Sequence, residues 1–300
     1  MMGAPLNMLR DPASLAKALG VSCNSLYALS RRTPNLYRTE PRPKPNGELR
    51  QVTAPSWHLK SVQRRLKDLL FGILPKGVLG TKDPADFARP HVGKLLVVGL
   101  DIDDFFPSTH RTKVQEALVR VGCSREVASL VTKLTTRSHC LPQGAPTSSL
   151  IAEAVLADLD AELARFCCAH GLVISRYVDN IAISADCDFQ ALIPTVYELV
   201  ARHGFRLNGE KQVMWNSGRQ EITSLVVNKR ISVTREYRES LKLEMKHWCD
   251  GRMEMARWRN LLGRINYVGR FHPRLASRLK KQFWDGYARL RHDKGMTTEE

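Results

Sequence analysis

Asp101 and Asp179 are the two side chains whose placement invites a chemical reading. Asp101 closes the apolar run Leu95 to Leu100, and Asp179 falls between two short strand-like runs, Leu172 to Tyr177 and Asn180 to Ser184. Each stands where a buried strand runs out into solvent, and adjacent strands can bring two such acids together. Paired carboxylates repel, and either a shared proton or a divalent metal relieves the repulsion. A phosphoryl-transfer site uses the metal, with two ions about 4 Å apart activating the attacking oxygen and the leaving group. Mg2+, a hard cation, suits such oxygen ligands. On spacing alone, ordinary surface aspartates at strand ends are the better account.

The elements that must position these acids are mixed. In the first thirty residues Leu15, Leu19, Leu26 and Leu29 recur at helical intervals around Gly20, which predicts two short helices. A DNA-reading helix-turn-helix has the same outline, but ordinary helical pairs share it, and we read an ordinary pair. Glu40 to Gly47, rich in proline, predicts an extended arm with a turn at Asn46-Gly47 and a hairpin into the strand Arg50 to Pro55. Helices are expected over Leu59 to Leu70, Thr112 to Val121 and Arg125 to Leu134. A long one is expected over Ser148 to Phe166, with Ile151, Val155, Leu159, Leu163 and Phe166 on its apolar face. Strands and helices alternate without a strict βαβ rhythm, so the class is α+β.

The 300 residues carry 46 Lys and Arg against 30 Asp and Glu, a net charge of +16, which favours a polyanionic partner, nucleic acid by default. The charge is uneven. Residues 251–290 hold ten bases against two acids, whereas residues 141–200 hold two bases against eight acids. A basic flank around an acidic middle suits an enzyme that grips phosphates at its edge and cations at its centre. No apolar run approaches the roughly eighteen residues of a membrane span, and no secretory signal opens the chain, so a cytoplasmic protein without a membrane partner is expected. Seven cysteines without a C-x-x-C pair encode neither a disulfide framework nor a zinc cage.

Three words in order change the weight of the two aspartates: Leu100-Asp-Ile-Asp-Asp-Phe-Phe-Pro-Ser108, Leu141-Pro-Gln-Gly-Ala-Pro-Thr-Ser148 and Arg176-Tyr-Val-Asp-Asn-Ile-Ala-Ile-Ser184. Together they closely resemble the palm motifs of reverse transcriptases, specifically the bacterial retron type. Asn46 to Pro55 followed by Leu59 to Arg64 resembles the fingers of these enzymes. Leu225 to Asn228 with Arg235 to Arg238 resembles the retron palm-to-thumb region, and Gly263 to Val268 the thumb. The resemblance spans about residues 14 to 285. It implies a right-hand polymerase with N-terminal helices and fingers over 1–95, a palm with an antiparallel sheet over 96–228 and a helical basic thumb over 229–300.

The resemblance also implies roles. Asp101 and Asp179 would bridge two Mg2+ ions, with the Ile102 carbonyl completing one shell. Phe106 would pack under the incoming sugar and leave no room for a 2′-hydroxyl, which selects dNTPs. Gln143 and Gly144 would lie against nucleotide and template, Arg50 would hold the triphosphate, and Lys211 would stand near its tail. The expected activity is RNA-directed DNA synthesis on a cognate noncoding RNA. It would yield single-stranded msDNA primed from a 2′-hydroxyl of that RNA, in anti-phage defence, with any toxic effector on another chain. Rival readings are a non-catalytic RNA-binding scaffold and a reverse transcriptase of another bacterial lineage.

The sequence departs from the family at three places. Asn180 stands where the family has a second aspartate, which predicts an active enzyme with a raised Mg2+ requirement. Phe87-Ala-Arg-Pro-His91 keeps the Ala and His of a retron word but loses its Asn, and Ile222-Thr-Ser224 lacks the Gly of a Val-Thr-Gly word. His91 reads equally as an RNA contact or a packing residue. In the C-terminal region Arg259, Arg264, Arg270, Arg274, Arg278, Lys280 and Lys281 are candidate RNA contacts, while Trp258, Leu261, Leu262 and Ile265 share a helix face and read as core.

Overall fold

A computed structural model describes residues 9–43, 49–75, 77–209, 213–215, 218–254 and 257–293. Helices α1 (Pro12–Ala18) and α2 (Cys23–Arg32) form the expected N-terminal pair. Asp11 and Ser22 cap them by accepting from the Ser14 and Ser25 amides. Strands β1 (Tyr37–Pro43) and β2 (Leu49–Pro55) pair antiparallel from Tyr37 opposite Pro55 to Pro43 opposite Leu49. The hairpin is therefore present, and its Asn46-Gly47 turn lies outside the described residues. Helix α3 (Trp57–Phe71) buries Leu59, Val62, Leu66 and Leu70 at helical spacing.

A four-stranded antiparallel sheet of order β4-β5-β3-β6 forms the centre. Its strands are β3 (Leu96–Asp101), β4 (Val173–Tyr177), β5 (Asn180–Ala185) and β6 (Val213–Trp215). Alternation along β3 divides two cores. Leu96, Val98 and Leu100 join the cluster built with the N-terminal helices, α3 and the helices α6 (Arg111–Arg120), α7 (Arg125–Thr135) and α10 (Ile193–Arg202). Val97, with Ala182 of β5, joins a second cluster shared with the C-terminal helices. The segment between carries α4 (Pro84–Ala88), and the short helix α5 (Phe105–Ser108) follows β3.

The long helix expected over Ser148 to Phe166 is instead two helices, α8 (Ser148–Val155) and α9 (Ala157–Ala169), interrupted at Leu156. Ile151, Leu159 and Leu163 remain buried through the break. The apolar stripe is continuous although the helix is not, so periodicity reads straight through it. Beyond the palm sheet, β7 (Glu221–Ile222), β8 (Leu225–Val226) and β9 (Ser232–Val233) form a small antiparallel sheet. The C-terminal helices α11 (Arg235–Cys249), α12 (Trp258–Gly269) and α13 (Pro273–Asp293) follow it. Leu261 and Ile265 are buried, with Trp258 and Leu262 packed at the edge of the same cluster, as the helical spacing predicted. No described helix is long and apolar enough to cross a membrane.

Candidate active site

The register of β3 against β5 ends with Asp101 directly opposite Asn180, and β4 returns to place Tyr177 opposite the same Asn180. Asp179 therefore sits in a two-residue turn beside Asp101. The turn is locked to the strand that carries its partner, because the Ile102 amide donates to the Asp179 carbonyl at 3.0 Å. On the other side the Asn208 amide donates to the Asp101 carbonyl at 2.8 Å. Asp101 follows Val97 and Gly99 in the alternation, so it lies with Asn180 and Ala182 on the sheet face that carries the second core. There a cleft of about 180 Å³ is lined by Gly99, Asp101, Asn180, Ala182, Glu221 and Thr223. The Asp101 side chain is nearly buried at 9% exposure.

The amide of Asn180 donates to Asp179 Oδ1 at 3.0 Å, a bond that an aspartate at this position, as an ionised acceptor, could not make. The neighbouring acids do not replace the missing charge. Asp103 is held by Arg206 at 2.6 Å, and Asp104, exposed and at φ +42, precedes α5 without a side-chain capping bond. Carboxylate and amide oxygens are the hard donors that Mg2+ takes. Among the described residues no group of three His, Cys, Asp or Glu side chains converges in a metal-binding arrangement. What the register brings to one end of the sheet is two carboxylates and one neutral amide, a donor chemistry that suits a divalent ion but carries one charge fewer than three acids would.

Other expected site residues fall around this centre. Phe106 is half-buried on α5, its ring 5.3 Å from that of Phe105. The Gln143 carbonyl accepts from the Thr53 amide at 2.7 Å, which pins its segment to β2. Gly144, at φ +124, lies so close to β2 that a Cβ would come within 3.0 Å of Val52 Cγ1. Arg50 belongs to β2 opposite Arg42, three residues from the Thr53 anchor, and its side chain is not among those described. Lys211 lies outside the described residues.

His91 requires a correction as an RNA contact. Its ring has no solvent exposure and bridges Ser184 (2.7 Å) and Ser175 (2.8 Å), tying β5 to β4. Burial pushes its pKa down to about 4, so the ring is neutral and offers no charge to a phosphate. The basic set also divides. Arg264 is engaged by Glu244 and Tyr237, and Arg270 by Asp83 at 2.7 Å. Arg259, Arg274, Arg278, Lys280 and Lys281 are exposed, and Arg278 lines a groove with Arg238 and Lys242 between α11 and α13.

Two residues near the site fall inside the words already quoted but were given no role of their own by the sequence reading. Thr223, with φ +45, turns β7 into β8 and lines the cleft opposite Asp101, its hydroxyl buried without a hydrogen-bond partner. Ser224 follows at φ +64, where the family's glycine would be at ease. Arg176 is fully buried two positions before the turn residue Val178. Its signal was its rarity, since Arg165 is the only other base between 141 and 200.

Comparisons with known proteins agree with this geometry. Residues 42–240 match the family model described as reverse transcriptase (RNA-dependent DNA polymerase), a span that includes both acid-bearing strands. The chain is 33% identical to the retron Mx65 reverse transcriptase of Myxococcus xanthus, over 92% of this chain and 72% of that one. It is 27% identical to the retron Ec86 reverse transcriptase of Escherichia coli, over 93% and 91%. Telomerase from Candida albicans, solved with a fragment of telomeric RNA, superposes with a TM-score of 0.50 at 10% identity. That match covers 85% of this chain and 58% of the telomerase chain, and shows a shared right-hand polymerase fold. Because the similarity runs from the N-terminal helices through the acid pair into the C-terminal helices, the chain belongs to the reverse transcriptases, as an RNA-directed DNA polymerase of the retron type.

Proposed function

We propose that this polymerase copies part of a cognate noncoding RNA into single-stranded msDNA, starting from a 2′-hydroxyl of that RNA and leaving DNA joined to RNA. The proposal includes a role in anti-phage defence beside a separate effector chain. The observation that carries the catalytic part is the register: Asp101 opposite Asn180, with Asp179 clamped to Ile102. Reverse transcriptases use divalent metal ions, and the oxygens of Asp101 and Asp179, with the Ile102 carbonyl, would hold two Mg2+ here. Bound there, the ions would supply Lewis acidity, making the attacking hydroxyl more acidic and offsetting charge on the leaving pyrophosphate. Asn180 adds an oxygen but no charge, which raises the Mg2+ concentration required.

The chain's own groups do the rest. The half-buried Phe106 ring supports the incoming sugar and excludes a 2′-hydroxyl, which favours dNTPs. Gln143 and the close-packed Gly144 guide nucleotide and template along β2. From that strand Arg50 grips the triphosphate with its planar fork of donors, and Lys211 assists at the tail. Residues 1–95 serve as N-terminal helices and fingers, 96–228 as palm and 229–300 as thumb. Exposed bases on α13, Arg274, Arg278, Lys280 and Lys281, with Arg259 of α12, hold RNA phosphates.

The test is to purify the protein with its bound nucleic acid, sequence that nucleic acid, and supply dNTPs and Mg2+ to it and to Asp179→Asn. A covalent RNA–DNA product from the parent alone supports the proposal. Extension of generic primed templates without such a product favours another reverse transcriptase lineage, and RNA binding with no incorporation favours a scaffold.

A further inference from the structure

Arg176 uses every donor it has. From β4 its Nε and Nη2 form a fork on Asp160 of α9 at 2.7 and 2.8 Å, and Nη1 and Nη2 reach Glu153 of α8 at 3.0 and 2.7 Å. The remaining Nη1 hydrogen goes to the Val178 carbonyl at 2.7 Å, inside the acid-bearing turn. A guanidinium has five N–H donors, and all five are assigned. Two carboxylates already exceed its charge, so the bond to Val178 is not needed for neutralisation. It fixes a backbone atom.

That backbone atom belongs to a strained residue. Val178 has φ +57, a left-handed conformation that a β-branched side chain adopts only under external constraint. The network that holds it is closely packed. The Arg176 amide donates to Leu79 and its carbonyl accepts from Thr81, so the loop after α3 closes over the strand. A Cβ at Gly77 would lie 2.0 Å from Asp160 Oδ2, and one at Gly80 would lie 2.2 Å from Glu153 Oε2. The break between α8 and α9 separates the two helices that supply these carboxylates.

We propose that Arg176 is a positioning residue: by holding the Val178 carbonyl it sets the direction in which Asp179 is presented beside Asp101. The inference rests on the reading of Asp179 as catalytic. A purely structural ion pair would brace α8, α9 and β4 and affect stability alone.

The experiment uses the full chain with Arg176→Lys, Gly80→Ala, Asp179→Asn and, as a stability control, Leu163→Ala in the core of α9. Lysine keeps one charge against Asp160 but cannot make the five-donor fork. Initial rates are taken below every melting midpoint, with dNTP and Mg2+ varied, and amide exchange is followed at Ile102, whose N–H is held by the Asp179 carbonyl. Arg176→Lys and Gly80→Ala are each expected to lower kcat about tenfold or more, the usual scale for a residue that orients a metal ligand. They are also expected to raise the half-saturating Mg2+ and speed exchange at Ile102, while the dNTP KM stays within about twofold. Leu163→Ala is expected to lower the midpoint with kcat unchanged. Parental kcat, Mg2+ dependence and Ile102 exchange in both network variants, whatever their midpoints, overturn the inference. If Arg176→Lys fails to fold, Gly80→Ala decides alone. Full activity in Asp179→Asn defeats the underlying catalytic reading instead.

Discussion

Replacing Asn180 by aspartate restores the family's pair of acids and is expected to make the metal-free protein less stable. The Asn180 amide now donates to the Asp179 carboxylate at 3.0 Å, and Asp101 faces it across the ladder. Losing a hydrogen bond to a charged acceptor costs about 1.5–3 kcal/mol. Two charges 3 Å apart repel by about 1.4 kcal/mol in a water-like dielectric, the appropriate limit for a half-exposed turn. The new carboxylate can rotate away from its neighbour, which keeps the total near the lower end, about 3 kcal/mol. For a chain of this size that is a fall in melting midpoint of about 6 °C. Calorimetry of Asn180→Asp and the parent in EDTA and in millimolar Mg2+ reads it directly. The deficit is expected in EDTA and to close in Mg2+, because the added charge becomes a ligand, and primer extension should then saturate at about tenfold lower Mg2+. An unchanged midpoint in EDTA refutes the role of the amide as donor to Asp179, and an unchanged Mg2+ requirement refutes the charge argument.

Four further outcomes are expected. The folded pKa of His91, about 4, lies below its unfolded value of 6.5, so the unfolded chain binds more protons between these limits. The contribution of His91 is therefore complete above pH 6.5 and is lost as pH falls toward 4, by about 3 kcal/mol at most. Urea titrations of His91→Gln should lack that part of the slope, with RNA affinity unchanged. Gly144→Ala should lower primer extension by disturbing the β2 anchor at Val52 and Thr53, at a backbone cost of about 1–3 kcal/mol, and hydrogen exchange at the Thr53 amide should rise with it. Replacing Arg274, Arg278 and Lys281 together by alanine should flatten the dependence of RNA binding on salt. Arg264→Ala and Arg270→Ala, which release Glu244 and Asp83, should lower the melting midpoint with little change in that slope.

The sequence by itself determined the pieces that depend on near neighbours. A short apolar run marked β3, strand-like runs marked β4 and β5, helical spacing marked α3 and the buried face of α12, and the three ordered words located Asp101, Gln143 and Asp179. These are legible because strand and helix periodicity and turn chemistry act over a few residues. Only the tertiary structure decided which distant groups meet. It enclosed His91 between two serines of neighbouring strands, paired Arg264 and Arg270 with acids distant in sequence, and broke one continuous apolar stripe into α8 and α9. It also gathered Asp160, Glu153 and the loop around Gly77 and Gly80 onto Arg176. A charged side chain carries no local signature of its partner. Whether it is solvated, paired or buried depends on how separately formed elements dock, and that docking also aims the acid-bearing turn.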